Sequence, residues 1–269
     1  LVSVKNTLSK RSEIKRKLAS FKPDLFITDL EPTATVLSYL YHKPLISIDN
    51  EHLLTHTDIK VQKNDKRKYL LAKLVSFLAA FGANYYIIFS LEKKSTIHKN
   101  FSIVPPLIRE EILRSKSLIK DHILVYNSIP NNKIIDELKK IPKKFIVYGH
   151  DLDKKDRNII FKKDKNMFVE DLLSCQAIIG TAGFSLISES IYLKKPFFAI
   201  PVDHFEQKLN ADYLIDLKIG YSKKNPTQKD IQEFLSNLEY YRKNLIKLNP
   251  DYKGIYKVLD LLIDRIDDG

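Results

Sequence analysis

The string Ile178-Ile179-Gly180-Thr181-Ala182-Gly183-Phe184-Ser185-Leu186-Ile187-Ser188-Glu189-Ser190 carries the residue types that bind a phosphorylated ligand. The apolar run Ala177 to Ile179 predicts a buried strand that stops at Gly180, and an amphipathic pattern predicts a helix beginning near Gly183. The first backbone N–H groups of such a helix lack intrahelical partners, and its dipole puts positive potential there. Gly180, Ala182 and Gly183 carry almost no side chain, so an anion can approach the backbone closely. Glu189 lies roughly 9 Å further along the helix, at about 1.5 Å per residue. It shares a face with Ser185, where a carboxylate can accept hydrogen bonds from a ribose. A tight strand–helix turn with a solvated glutamate is the other reading of the same stretch.

A second unit of the same kind follows. Lys195-Pro196-Phe197-Phe198-Ala199-Ile200-Pro201 predicts a buried strand bounded by prolines, and His204 to Ala211 a helix. On that helix Glu206 and Asn210 are spaced i, i+4, and Gln207 and Asn210 i, i+3, so the three polar groups share a face. Two neighbouring strand ends thus present small residues, then Glu189, then Glu206, Gln207 and Asn210. In open parallel sheets ligands bind at the carboxyl ends of strands.

As a set, residues 170–220 resemble the donor-binding half of GT-B glycosyltransferases. The resemblance is to the family 28-like group related to the N-acetylglucosaminyl transferase of peptidoglycan precursor synthesis. It is carried by Thr181-Ala182-Gly183-Phe184, Ser188-Glu189, Lys195-Pro196, Pro201, Phe205-Glu206-Gln207 and Asn210-Ala211. It implies a UDP-sugar donor that is a substrate, with no cofactor. Glu189 would meet the ribose hydroxyls, and Thr181, Ala182, Gly183 and Phe184 the diphosphate. Glu206, Gln207 and Asn210 would bind the sugar and its phosphate. Phe168 to Glu170 fall where relatives hold the base through backbone groups. Relatives also carry a glycine-rich phosphate loop after the first donor-domain strand, and this chain has Asn127-Ser128-Ile129-Pro130 there instead.

Earlier strand ends gather acids. Leu25 to Thr28 and Leu45 to Ile48 read as buried strands, the first ending at Asp29-Leu30-Glu31-Pro32 and the second at Asp49-Asn50-Glu51-His52. Asp29 and Glu31 suit capping of the following helix, 33–41, and are equally candidates for chemistry. Asp-x-Glu-Pro and Ile-Asp-Asn-x-His also resemble acceptor-domain motifs of the same group, which usually has Gln where this chain has Glu51. Relatives place a glycine-histidine loop after their first strand, which this chain does not include. Asp29, Glu31 and His52 are therefore the candidates for the general base. A histidine is unprotonated near neutrality, and Asp29 suits the task if desolvated.

The expected fold is α/β, two Rossmann-like domains of the GT-B kind. The chain's first pattern is a helix over residues 5–20, so the first domain is expected to lack its opening strand or strands. Pro105-Pro106 marks the boundary. Residues 1–105 form the acceptor-side domain and 106–254 the donor-binding domain. Residues 255–269 form a C-terminal helix that crosses back to the first domain. After Gly220 the chain reads as helical, broken at Asn249-Pro250.

Composition narrows the function classes. With 44% hydrophobic and 29% charged residues the 269-residue chain is globular. One cysteine, Cys175, excludes a disulfide framework within the chain and fits a reducing compartment. No signal-peptide pattern and no apolar run of about 18 residues is present, so the protein is expected to be cytoplasmic. No metal-ligand spacing occurs, and Asp151-Leu152-Asp153 sits in a lysine-rich stretch that reads as solvated. The net charge of +12 attracts anionic partners. Nucleic acid is not expected among them, because the aromatics sit inside apolar strand runs and not along a basic stripe. Residues 66–82 form a basic–apolar helix, which is either core or a surface that lies on anionic lipid at the inner face of the membrane. The resemblance implies a lipid-linked acceptor in the same direction.

The sequence therefore points to an inverting, metal-independent transfer of a sugar from UDP to an acceptor hydroxyl. A UDP-sugar epimerase of the same fold and an inactive nucleotide-sugar-binding fragment are the alternatives.

Overall fold

The structure is a computed structural model and describes residues 11–91, 96–248 and 252–267. The chain divides into two compact units, residues 1–106 with 253–269, and residues 107–252.

The first unit begins with helix α1 (Arg11–Phe21) and strand β1 (Phe26–Thr28). The positions expected to be helical before Arg11 lie outside the described residues. Helix α2 (Pro32–Tyr41) starts with a proline in its first turn, where the missing N–H costs nothing, and Glu31 caps it. Strand β2 (Leu45–Asp49), the single turn α3 (Leu53–His56) and helix α4 (Lys66–Ala79) follow. Strands β3 (Tyr85–Phe89), β4 (Thr96–Ile97) and β5 (Phe101–Val104) complete the sheet. Its order is β1-β2-β3-β5-β4, parallel except for the β4–β5 edge pair. Consecutive parallel strands with right-handed crossovers put α2 and α4 on one face. Thr35 Oγ1 donates to the Ala79 carbonyl at 2.6 Å, tying the two helices together.

The second unit opens with the short helix α5 (Glu110–Leu113) and strand β6 (Ile123–Tyr126). Helix α6 (Asn132–Leu138) and strands β7 (Phe145–Tyr148), β8 (Lys154–Asp156) and β9 (Ile159–Phe161) come next. Helix α7 (Phe168–Ser174), strand β10 (Ala177–Gly180) and helix α8 (Phe184–Tyr192) form the central βα unit. Strand β11 (Phe197–Ala199), helix α9 (Phe205–Asp216) and strand β12 (Gly220–Ser222) follow, then helices α10 (Gln228–Ser236) and α11 (Leu238–Lys247). The sheet order is β12-β11-β10-β6-β7-β9-β8, parallel except for the β8–β9 edge. The chain winds outward from β6 through β7 to β9, then returns to the other side of β6 at β10. The topological switch point is therefore between β6 and β10, where open α/β sheets bind ligands. The inner strands β6, β7, β10 and β11 are apolar on both faces, as a sheet covered by helices requires.

One expectation is corrected and one open alternative is narrowed. The segment after Gly220 is not all helix, because Gly220–Ser222 pairs in parallel with Phe197–Ala199 at the sheet edge. The apolar positions of α4 do not face the core: Leu70, Leu71, Leu74, Phe77 and Leu78 are exposed, and only Ser76 and Ala79 of the helix are buried. The expected break at Asn249-Pro250 lies outside the described residues. Helix α12 (Gly254–Asp267) belongs to the first unit, with Val258 and Leu261 buried and the Arg265 guanidinium 4.1 Å from the Tyr85 ring centre.

Candidate active site

The site in the second unit is built where β6 and β10 end. Gly180 is required by the fold itself, since a Cβ there would lie 2.5 Å from the Tyr126 carbonyl oxygen of the neighbouring strand. Thr181 N–H donates to that same carbonyl at 3.1 Å, and Gly183 N–H closes a tight turn onto the Thr181 carbonyl at 2.8 Å. Gly183 is the N-cap of the nine-residue α8, in extended backbone geometry and with no side chain to cap the helix. A Cβ at Gly183 would meet no protein atom within 4 Å. Protein packing thus explains Gly180 but not Gly183, which keeps open space at an uncapped helix N-terminus. An anion there would meet backbone N–H groups and the positive end of the dipole.

Asn127 stands beside this turn. It is buried directly after β6, and its side-chain Nδ2 has no hydrogen-bond partner. Its backbone is pinned from the other side by Gly149, whose positive φ and missing side chain let the chain pass against the Asn127 carbonyl. A buried amide donor without a partner is uncommon, and it places a second kind of hydrogen-bond donor at the switch point.

Glu189, further along α8, is only 4% exposed. Arg109 binds both its oxygens: Nε donates to Oε1 at 2.6 Å and Nη2 to Oε2 at 2.7 Å. The planar guanidinium matches a carboxylate in this fork geometry. These hydrogen bonds hold the guanidinium of Arg109 above its ordinary pKa, outweighing its partial burial. The Arg109 guanidinium also lies 5.5 Å from the ring centre of Phe168. Phe168 packs edge-on against Tyr126 and Tyr148 at 5.5 and 5.1 Å, so one aromatic surface joins the ends of β6 and β7 to α7. Helix α7 is fixed by Asp171, whose Oδ2 accepts from Tyr148 Oη and Lys162 Nζ, each at 2.6 Å. Burial and that carboxylate push the Tyr148 hydroxyl well up, so it stays a donor.

On α9, Asn210 is buried and bridges two expected site elements. Its Nδ2 donates to the Ala182 carbonyl at 3.0 Å and also bonds Glu206 Oε1. Gln207 Oε1 accepts from Val202 N–H at 3.1 Å, which braces the β11–α9 loop. The second unit places Thr181, Ala182 and Gly183 just after β10, Phe184 at the start of α8, Glu206, Gln207 and Asn210 on α9 after β11, and Phe168 against Tyr126 and Tyr148, while Glu189 lies further along α8 against Arg109. Asn210 and Gln207 spend part of their hydrogen-bonding capacity on shaping the loops.

In the first unit the candidates separate by role. Glu31 is the N-cap of α2, accepting from Thr33 N–H at 3.1 Å and Thr33 Oγ1 at 2.7 Å. Asp29 follows β1, and partial desolvation, then the charge of Asp49, hold its carboxyl above the ordinary value. His52 is 1% exposed, with Nδ1 2.7 Å from Asp49 Oδ2. The His56 ring of α3 meets it edge-on at 5.8 Å between ring centres, and burial pushes the His56 imidazole down. Asp151 and Asp153 engage Lys163 through its side chain and backbone. Among the described residues no group of three or more His, Cys, Asp or Glu could hold a metal ion.

Three residues escape sequence reasoning as site members. Arg109 is visible only as the end of a proline-rich connecting segment, and its partner is far away in the chain. Asn127 replaces an expected glycine and carries no motif of its own. Asp49 lies at the i, i+3 spacing from His52, the one signal that could have paired them.

The model of the family described as Glycosyl transferase family 1 matches residues 1–239. No curated protein matches the chain. Among solved structures, the glycotransferase of kitacinnamycin superposes with a TM-score of 0.67 at 13% identity, over 97% of this chain and 81% of that one. A UDP-glucosyltransferase from Polygonum tinctorium gives 0.61 at 15% identity, over 91% and 75%. The spinosyn rhamnosyltransferase complexed with thymidine diphosphate gives 0.57 at 12%, over 96% and 78%. At these identities the likeness establishes the fold, two Rossmann-like units of the GT-B type. With most of its length matched by the family model, the chain belongs to glycosyl transferase family 1.

Proposed function

We propose that the protein moves a sugar from a UDP-sugar to an acceptor hydroxyl, with inversion and without a metal ion. The observation that carries this reading is the uncapped N-terminus of α8 at the switch point, opened by Gly183 and followed on the same helix by Glu189. In this reading residues 106–254 bind the donor and residues 1–105 and 255–269 serve the acceptor side. The diphosphate lies against the turn Thr181 to Phe184, with Asn127 Nδ2 as a further donor. Glu189 accepts from the ribose hydroxyls, Phe168 and its neighbours flank the base, and Glu206 and Gln207 meet the sugar. A neighbour complexed with thymidine diphosphate and another that is a UDP-glucosyltransferase support a nucleoside-diphosphate donor. The motif set around Thr181–Phe184 and Phe205–Asn210 supports a donor site of the family 28-like kind within the broader family.

The acceptor oxygen attacks the anomeric carbon as its proton passes to a base, and the bond from that carbon to the β-phosphate oxygen breaks, releasing UDP. Backbone N–H groups and the α8 dipole stabilise the departing diphosphate. The base comes from Asp29 or His52, since Glu31 is engaged as a helix cap.

The exposed apolar face of α4 favours a second element of the reading, a lipid-linked acceptor met at an anionic membrane surface. Leu70, Leu71, Leu74, Phe77 and Leu78 lie beside Lys66, Arg67 and Lys73. Among the described residues no helix is long and apolar enough to cross a membrane.

The test is UDP release from UDP-sugars in Mg²⁺ and in EDTA. Equal release in both supports metal-independent transfer, and a tenfold loss in EDTA returns Asp151 and Asp153 to contention. Conversion to an epimer without UDP release identifies an epimerase, and binding without turnover an inactive binding module.

A further inference from the structure

In the second unit four buried side-chain polar atoms have no partner among the described residues: Asn127 Nδ2, His150 Nε2, Asn158 Oδ1 and Arg242 Nε. Two of these side chains are held through their other atoms. Asn158 Nδ2 donates to the carbonyls of Leu138, Ile141 and Lys143, and Arg242 bonds Glu239 and the Gln176 carbonyl. Asn127 and His150 differ, because they follow the adjacent parallel strands β6 and β7 at the carboxyl end of the sheet. Gly149 stands between them, and a Cβ there would lie 1.9 Å from the Asn127 carbonyl oxygen, so the two strand ends meet backbone to backbone. A buried polar atom left unpaired needs an explanation, and two at neighbouring ends of a ligand-binding edge share one.

His150 is set among aromatic rings. Its imidazole meets the Phe161 ring of β9 edge-on at 5.5 Å. Tyr148, two residues earlier, packs against Phe168 at 5.1 Å, and its hydroxyl donates to Asp171 of α7. Lys162, which follows Phe161, bonds the same carboxylate, so the ends of β7 and β9 and helix α7 are tied around this spot. Burial pushes the His150 imidazole down, so the ring is neutral near neutrality. A neutral imidazole offers a donor or an acceptor to an uncharged partner, whereas a phosphate calls for a cation or a helix dipole. Flat heterocycles stack on aromatic side chains. Gly180, Tyr126 and Tyr148 are in register across the sheet, and neighbouring strands stand about 4.8 Å apart. The end of β7 is therefore roughly 10 Å from the end of β10, about the span from a diphosphate across a ribose to its base.

We propose that His150 is a specificity-determining residue of the donor site, its Nε2 hydrogen-bonding the edge of the nucleotide's heterocyclic base. The inference rests on the nucleoside-diphosphate reading and adds the side chain that reads the base. Asn127 lies one strand nearer the α8 turn and serves the phosphates, so the two unpaired atoms divide the nucleotide between them. His150 belongs to the connection between β7 and β8, outside any helix or strand, where rotation about its side-chain bonds brings Nε2 to the ligand. According to tautomer, the same atom donates to a uracil carbonyl or accepts from the ring N–H.

The test measures UDP affinity by calorimetry for the full chain and for His150→Phe and His150→Gln. Phenylalanine keeps a ring against Phe161 but loses the hydrogen bond, and glutamine places an amide near the position of Nε2. His150→Phe should weaken UDP binding at least about fivefold, and His150→Gln should stay within about twofold of the wild type. Full affinity in His150→Phe, or equal losses in both variants, overturns the proposal and leaves the donor reading standing. Absence of UDP binding by the wild-type protein overturns the donor reading and the proposal with it. Should the variants not fold, ¹H–¹⁵N spectra of the wild-type protein decide the matter: UDP must shift the His150 Nε2 resonance, and ribose 5-phosphate, which lacks the base, must not. An Nε2 resonance unmoved by bound UDP, or moved equally by ribose 5-phosphate, overturns it.

Discussion

Arg109 and Glu189 are 80 positions apart, yet the guanidinium of one is bonded to both carboxylate oxygens of the other. The acid assigned to the ribose is thus oriented before any ligand arrives. Each of its oxygens retains a further lone pair for a hydroxyl. Arg109→Ala should destabilise the protein by about 2–3 kcal/mol in urea unfolding, below the usual cost of a broken buried pair because Arg109 is half-exposed. Glu189→Ala should weaken UDP binding by about 1.5–3 kcal/mol, the worth of hydrogen bonds to a charged group. A folded Glu189→Ala protein with full UDP affinity would remove the ribose assignment.

Glu206 and Gln207 separate sugar from nucleotide recognition. They stand on α9, one βα unit beyond the diphosphate turn, and their side chains reach Asn210 and Val202. Glu206→Ala and Gln207→Ala should each narrow the gap between UDP-sugar and UDP affinities by about 1 kcal/mol. Calorimetry with both ligands checks this, and equal losses would reassign α9 to the phosphates.

Asp29 carries a pH signature. Its carboxyl is held above the ordinary value of 3.8 by desolvation and by Asp49. The folded protein therefore binds this proton more tightly than the unfolded chain. Stability is lost as pH rises from 3.8 through the raised value, and the deficit is constant above it. Asp29→Asn should raise the melting temperature at pH 7, with the difference vanishing below the ordinary carboxylate range. With His52 as base it should lower UDP release less than His52→Ala does. A larger loss would make Asp29 the base.

Much of the donor side was legible because its strands are short apolar runs ending in small residues. Ala177 to Ile179 and Phe197-Phe198 announce buried strands, and the small residues of the Gly180–Gly183 turn announce the start of a helix. The edge strands were not legible. Lys154–Asp156 is charged throughout and pairs only at an edge, and Gly220–Ser222 carries no alternation long enough to read. Glu31 was readable equally as cap or acid, and only the Thr33 geometry identifies the cap. The Arg109–Glu189 pair has no local trace, since nothing in a connecting segment names its partner. The apolar positions of α4 suited a core helix as well as a surface one, and sequence periodicity cannot distinguish the two.

That exposed face of α4 should bind anionic vesicles in a salt-sensitive way, each nearby lysine or arginine contributing about 1 kcal/mol. Leu74→Ser with Phe77→Ser should reduce cosedimentation at least severalfold while the fold is retained. No cosedimentation with anionic or neutral vesicles would direct the search for the acceptor to water-soluble compounds.

The most direct measurement is calorimetric titration of Gly183→Val with UDP. A Cβ there meets no protein atom within 4 Å and the backbone is extended, so the variant should keep its stability to within about 1 kcal/mol. It would nevertheless fill the space in front of the α8 N-terminus where the diphosphate is assigned. The account predicts at least a tenfold loss of UDP affinity, about 1.4 kcal/mol, in a protein that remains fully folded. Wild-type affinity in that variant would contradict the assignment of the diphosphate to this turn.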